Sequence, residues 1–353
     1  MTPKRILLTG ASGCVGHYIA DVLIHQTQHE LFLLVRNPQK LRLSVDTRPG
    51  IHLIVGDMRQ IEQQNKLLKT IDVAILTAAV WGGAQDVFDV NVIKTIRLMN
   101  LLDPDVCEQV IYFSTASILD QDCKPLKKAG EIGTDYIRAK YACHQRLSKL
   151  AIAPHITTVF PTLVFGGDST KPYSHLSSGI TDVTKWIGLL RFFRLEGSFH
   201  FIHAQDIAQV IAYLVEHPPE LDDSGRDRSA NRRELVLGSQ PITVNQAIAD
   251  ISAYLGKRIY FRLPMPRWLI DLLISVFRIQ MSAWDRFCLN YRHFTHRHFV
   301  NPSTYGLPMR CATVADLLAA SGVSGCRVPQ MEIAAAPWVK AESSSAESGR
   351  SRF

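Results

Sequence analysis

With 353 residues, 46% of them hydrophobic and 20% charged, the chain has the composition of an ordinary globular protein, long enough for one large domain and a smaller second lobe. No apolar run approaches the roughly 18 residues of a membrane span, and the formal charge of +7 is spread along the chain without an aromatic RNA-binding signature, which sets nucleic acid aside as a partner. The seven cysteines carry no CxxC pair, the pattern of free thiols in a reducing compartment, and Met1 to Arg5 runs straight into an apolar strand with no signal peptide, so a cytoplasmic protein is expected.

The first element is "ILLTGASGCVG", Ile6 to Gly16. Ile6, Leu7 and Leu8 predict a short buried parallel strand, followed by a glycine turn and the helix "CVGHYIADVLI". Gly10 permits the tight turn, Gly13 lets a pyrophosphate approach the backbone, and Gly16 lets the helix pack closely on the strand. Phosphate then sits on free helix N–H groups, so Thr9, Gly10, Ser12, Gly13, Cys14, Val15 and Gly16 form a candidate dinucleotide cradle. The second strand, Leu31 to Val35, ends at Arg36. An acid there would accept hydrogen bonds from the adenosine 2′-hydroxyl; Arg36, with Lys40 and Arg42 close by, suits a 2′-phosphate instead, so NADP is expected in preference to NAD.

The third strand, "IHLIVGD", ends in Gly56 and Asp57, and Asp57 with Met58 leads into a helix expected near Ile61 with Asp57 as its cap. The fourth, Val73 to Leu76, closes on Thr77, Ala78 and Ala79, small residues against which a cofactor can lie. Trp81, Gly82 and Gly83 make a loop assigned to the substrate wall. A helix follows with apolar positions 88, 92, 96, 99 and 102, then a fifth strand, "QVIYFSTAS", delivering Ser114, Thr115 and Ser117 at its C-terminal end, where ligands bind in open parallel sheets. "TDYIRAKYACHQRLSKL" predicts a helix carrying Tyr136 and Lys140 four residues apart, on one face. A neighbouring ammonium favours the phenolate and would bring Tyr136 toward the range of a working acid or base, while a hydroxyl from Thr115, Ser114 or Ser117 would polarise the reacting oxygen.

The sixth strand turns at Pro161 and exits through Gly166 and Gly167. "FHFIHAQDIAQVIAYLVEH" predicts a strand and a helix capped by Asp206; His200 and His203 on that strand suit either substrate contact or packing. A charged surface loop spans 222–234; beyond it come the helix "VNQAIADISAYLG", a short strand from Ile259 to Leu263, and "PRWLIDLLISVF". That last run, Trp268 to Phe277, is expected as lobe core, with an interfacial membrane contact as the alternative. His293, His296 and His298 lack nearby acids and read as a basic helix face, so no metal site is expected. Residues 327–353 form a tail, disordered at least from Glu342.

Taken together, "TGxxGxxG" from Thr9 to Gly16, the Tyr136-x-x-x-Lys140 pair and their order along about two thirds of the chain resemble the extended short-chain dehydrogenases/reductases, the branch of epimerases, dehydratases and hydroxysteroid-type dehydrogenases. The resemblance implies a doubly wound Rossmann α/β domain, residues 1–170 with 201–238 returning to it, and a smaller C-terminal substrate lobe from 171–200 and 239–326. It implies that Asp57 touches the adenine, that Asn91 stands at a family Asn, that Lys140 also holds the nicotinamide ribose, and that Thr115 best matches the hydroxyl donor. It also sets Pro161 and Thr162 in a segment like "RPxxVYG" beside the nicotinamide, although Phe160 replaces its Arg. The function implied is NAD(P)-dependent oxidation, reduction or epimerisation of a small molecule by a monomer or homodimer. The apolar lobe leans toward an isoprenoid, sterol-like or phenolic substrate rather than a nucleotide sugar. The rival reading, kept open by Phe160, is a chain that holds a dinucleotide without turnover.

Overall fold

Ile6, Leu7 and Leu8 are buried in β1 (Arg5–Thr9), an interior strand of a seven-stranded parallel sheet in a computed structural model of the chain. The structure describes residues 2–218 and 234–326; the charged loop up to residue 233 and the tail lie outside the described residues. β2 (Glu30–Val35) and β3 (Ile51–Val55) extend the sheet on one side of β1. On the other side follow β4 (Val73–Leu76), β5 (Gln109–Phe113), β6 (Ile156–Pro161) and finally the strand Glu234–Leu237. Chain order thus reverses between β1 and β4, which opens a crevice at the C-terminal ends of the strands.

Both faces of the sheet are covered, which is why its strands read as unbroken apolar runs. The helices Cys14–Gln26 and Ala204–Glu216 pack against each other over one face and close a core of Ile6, Leu8, Ile19, Leu23, Ile207 and Ile211. The opposite face, with Leu7, Ala74 and Tyr112, is covered by Leu98 and Met99 of the helix Thr95–Leu101 and by Ala139 and Cys143 of Asp135–Leu147.

Several elements depart from the sequence expectation for local reasons. The helix expected near Ile61 is a 3₁₀ stretch, Met58–Gln64, followed by one α-turn, Asn65–Leu68. The helix after β4 is interrupted by a π-helical stretch at Asp89–Lys94. Val92, Met99 and Leu102 are buried as expected with Ile96 packed beside them, Val87, Val90 and Leu98 join that face, and Phe88 alone of the expected positions is exposed. The sixth strand breaks at Thr162, whose N–H and hydroxyl both donate to the Leu237 carbonyl (3.0 and 2.9 Å), and Leu163–Phe165 leaves the sheet to pair with Phe201–His203.

Asp206 is not a cap. His203 caps the helix by accepting from the Gln205 N–H, whereas the fully buried Asp206 carboxylate accepts from the N–H groups of Arg310 and Cys311 (2.6 and 3.1 Å). The strand expected at 259–263 shrinks to Leu263–Pro264, and the histidines at 293–298 lie on a two-residue strand and a loop rather than a helix. The run expected as lobe core forms the helix Arg267–Val276 with Trp268 67% and Val276 65% exposed.

Candidate active site

The turn between β1 and the first helix is shaped by what a Cβ would strike. Gly10 has φ +75°, and a side chain there would come within 2.8 Å of the Ala78 nitrogen and the Thr77 hydroxyl. At Gly16 a Cβ would fall 2.2 Å from the Gly10 carbonyl oxygen, so helix and turn can touch only with glycine present. Gly13 donates its N–H to the Gly10 carbonyl (2.9 Å) and starts the helix with no side-chain cap and no acid in the first turn. The Thr77 hydroxyl donates to the Thr9 carbonyl (2.6 Å) and the Ala78 N–H to the Thr9 hydroxyl (3.3 Å), tying the ends of β1 and β4 together beside that helix start. Ser12, Cys14, Val15 and Ala79 surround it half-buried, and burial pushes the Cys14 thiol up to about 12, leaving it protonated and neutral. An uncapped helix N-terminus approached by a bare backbone suits a pyrophosphate.

Arg36 and Lys40 are exposed beyond β2 with no polar partner among the described residues, and the Arg42 guanidinium donates to the Ser169 carbonyl (3.4 Å). Asp57 does cap the stretch after β3, accepting from the Arg59 N–H (2.9 Å) and pairing with its guanidinium (3.3 Å), with Met58 buried behind it.

Across the crevice, Thr134 caps the helix Asp135–Leu147, on which Tyr136 and Lys140 stand. Lys140 is 2% exposed; its ammonium donates to the Phe113 carbonyl at the end of β5 (2.5 Å) and lies 4.9 Å from the Tyr112 ring centroid and 5.8 Å from that of Tyr136. Burial brings Lys140 down to about 8. The Tyr136 phenol is raised by burial above the ordinary tyrosine range, so the expected drop toward neutrality is not met. Trp81 stacks on Tyr136 with ring centroids 3.8 Å apart and planes 14° apart. Asn91 holds that loop in place: its side chain accepts from the Val80 N–H (2.9 Å) and donates to the Val80 carbonyl (2.8 Å).

The three candidate hydroxyls differ. Thr115 caps the 3₁₀ turn Ala116–Ile118 and donates to the Ser117 hydroxyl (3.3 Å). Ser114 is buried and its hydroxyl has no hydrogen-bond partner among the described residues. Ser117 lines a cavity of about 240 Å³ together with Thr162, Phe199, Arg292, Phe294 and His296. Pro161 ends β6 behind it. His200, at the cavity wall, contacts the Ser239 carbonyl (2.6 Å) and accepts from the His296 N–H (3.0 Å) through its other nitrogen, so both ring nitrogens are bound to backbone. Phe160, where the resemblance placed an Arg, is wholly buried edge-on to His144 (5.3 Å). The stack of Trp81 on Tyr136 and the part played by Arg292 and Phe294 were missed in sequence, where no periodicity joins residues so distant in the chain.

Comparison with known proteins supports this architecture. The crystal structure of gox2253 superposes with a TM-score of 0.65 at 21% identity, covering 92% of this chain and 100% of that one. The NAD complex of dTDP-glucose 4,6-dehydratase from Bacillus anthracis (TM-score 0.58, 14% identity, 91% and 96% covered) and UDP-glucose 4-epimerase from Thermotoga maritima with UDP-glucose (0.56, 14%, 90% and 98%) share the same fold. Among curated sequences, an isoflavone reductase homolog A622-like protein of Nicotiana tabacum is 35% identical over 101 residues, and the match spans only 31% of that relative and 27% of this chain. The sequence model of one family matches residues 6–226, which hold the glycine turn, the Tyr136 and Lys140 pair and the helix that returns to the sheet: the chain belongs to the NAD dependent epimerase/dehydratase family, a family of enzymes.

Proposed function

We propose that the chain is an NAD(P)-dependent oxidoreductase or epimerase acting at a carbinol or carbonyl carbon, with Tyr136 as its acid/base. The observation that supports this reading is Tyr136 stacked on Trp81 beside a buried Lys140 that is held to the Phe113 carbonyl at the C-terminal end of β5, on the same sheet edge as the uncapped helix start after β1. Thr9, Gly10, Ser12, Gly13, Cys14, Val15 and Gly16 would hold the dinucleotide phosphates, Asp57 and Met58 the adenine end, and Thr77, Ala78, Ala79, Pro161 and Thr162 the nicotinamide end. The nicotinamide, when bound, supplies or accepts the hydride. The raised Tyr136 phenol is protonated at neutral pH and ready to donate to a developing alkoxide; in the reverse direction the Lys140 charge offsets the phenolate. Thr115 or Ser114 would orient the reacting oxygen, and the aromatic cavity beside Ser117 suits a largely apolar alcohol or ketone with one or two polar groups. We assign residues 1–170 and 201–238 to the dinucleotide-binding domain and the remaining described residues to the substrate lobe.

Tyr136→Phe is expected to keep the fold and the dinucleotide affinity while lowering turnover by about 10²- to 10⁴-fold, measured by stopped assays over a panel of alcohols, ketones and sugar nucleotides. Near wild-type turnover would overturn the assignment; dinucleotide binding with no turnover by the wild type on any member would favour a holding role instead. Arg36 and Lys40, exposed and with no side-chain partner among the described residues, support a preference for the 2′-phosphate. Calorimetric titration of Arg36→Asp is expected to show NADP binding weakened about tenfold or more relative to NAD, and equal wild-type affinities would sink the preference.

A further inference from the structure

More than half of the large apolar side chains that remain exposed fall in two neighbouring stretches of the lobe, 183–189 and 260–279. The helix Ile180–Leu190 exposes Val183, Trp186 and Leu189, and the helix Arg267–Val276 exposes Trp268, Leu272 and Val276 at a spacing of four, one stripe along its length. Between them, Leu263 donates its N–H to the Phe192 carbonyl (2.7 Å) and Phe261 stacks on Phe192 (5.1 Å), which brings the exposed strip 260–263 alongside the end of the first helix. Phe277 and Ile279, 70% and 53% exposed, prolong the second stripe. Exposed apolar side chains gathered in neighbouring segments differ from the singly scattered ones of an ordinary soluble surface.

The charge around this face has one sign. Segments 180–194 and 256–286 carry nine Lys or Arg against three Asp and no Glu. The three acids are engaged locally: Asp182 with Lys185 (2.9 Å), Asp271 with Arg267 (3.0 Å), and Asp285 in the cap of the helix Ala283–Tyr291. Arg194, Arg258, Arg278 and Arg286 are exposed and pair with no carboxylate among the described residues. We propose that this face docks the lobe on an anionic phospholipid bilayer, with the two stripes in the boundary between headgroups and acyl chains and the arginines on lipid phosphates. No helix among the described residues is long and apolar enough to cross a membrane, so the contact is interfacial. Charge complementarity selects the lipid over a second copy of the chain, because a two-fold contact through this face would set its positive fringe against itself.

The test is co-sedimentation of the full chain with vesicles of phosphatidylcholine alone and of phosphatidylcholine with about one third phosphatidylglycerol. Wild type is expected to pellet with the anionic vesicles, at least tenfold more weakly with the neutral ones, and less as salt is raised. Trp268→Ser with Phe277→Ser is expected to lose about tenfold or more of that partition without a change in melting temperature, since both side chains are exposed; Arg258→Gln with Arg278→Gln should lose the preference for anionic lipid. Protein left in the supernatant with anionic vesicles overturns the proposal. So does a concentration-dependent dimer in sedimentation velocity that the Trp268→Ser, Phe277→Ser variant abolishes, which would assign the face to self-association.

Discussion

Lys140, proposed here to act beside Tyr136, shows how a buried charge can cost its protein stability. Its ammonium is buried with a single carbonyl partner, and burial lowers it from the ordinary lysine value to about 8. Below pH 8 both folded and unfolded chains carry the proton, and the folded state bears the whole desolvation cost, about 3 kcal/mol. Between pH 8 and about 10.5 the unfolded chain binds the proton more tightly than the folded one, so stability rises with pH through that window. Lys140→Met is therefore expected to be more stable than wild type by about 1–3 kcal/mol at pH 7, after allowing for the lost bond to Phe113, while weakening dinucleotide binding and turnover. Urea denaturation at pH 7 and pH 10 measures it; the advantage should shrink at the higher pH. At this scale the sequence was informative where spacing fixes a face, as for Tyr136 and Lys140; it put Trp81 in a wall loop but not on Tyr136, because that stack depends on how a loop from another strand folds over the helix.

At the scale of elements, the π-helical stretch Asp89–Lys94 decides what the crevice wall looks like. A regular α-helix would put residues 88, 92 and 96 on one stripe, the pattern read from sequence; with the extra residue in the turn, Val92, Met99 and Leu102 stay buried, Val87 and Val90 join them, and Phe88 is left exposed. Asn91 is thereby carried inward to clamp Val80, and the Thr95 hydroxyl donates to the Val90 carbonyl (2.8 Å) that the wide turn leaves over. Asn91→Leu would leave the Val80 N–H and carbonyl without their partners, at a cost of about 2–4 kcal/mol. Urea denaturation should show that loss, and turnover should fall with it, because the same clamp sets Trp81 over Tyr136; an unchanged rate would separate the two. By contrast the parallel strands were legible almost to the residue, since burial on both faces enforces unbroken apolar runs and leaves glycine or a polar residue where each ends.

For the molecule as a whole, the order of elements was legible and the surface was not. Apolar periodicity in the run from Trp268 to Phe277 looks alike whether the stripe meets the protein's own core or an outside surface, and only the packed structure shows it turned outward. Asp206 is a similar case: a carboxylate in a first helical turn reads as a cap, yet here it receives two N–H groups from a segment more than a hundred residues later.

The pairing of β6 with the strand Glu234–Leu237, and of the helix Cys14–Gln26 with Ala204–Glu216, bears on how the chain acquires its shape during synthesis. Six strands of the sheet leave the ribosome first, but the core around Ile19 and Leu23 gains Ile207 and Ile211, and β6 its outer neighbour, only after the first lobe segment has been made. Through that interval the nascent domain presents a bare strand edge and a bare helix face, the surfaces that chaperones bind and that aggregation exploits. The glycine turn from Gly10 to Gly16 is made before the helix Ala204–Glu216, and the helix it opens waits for that partner to complete its packing.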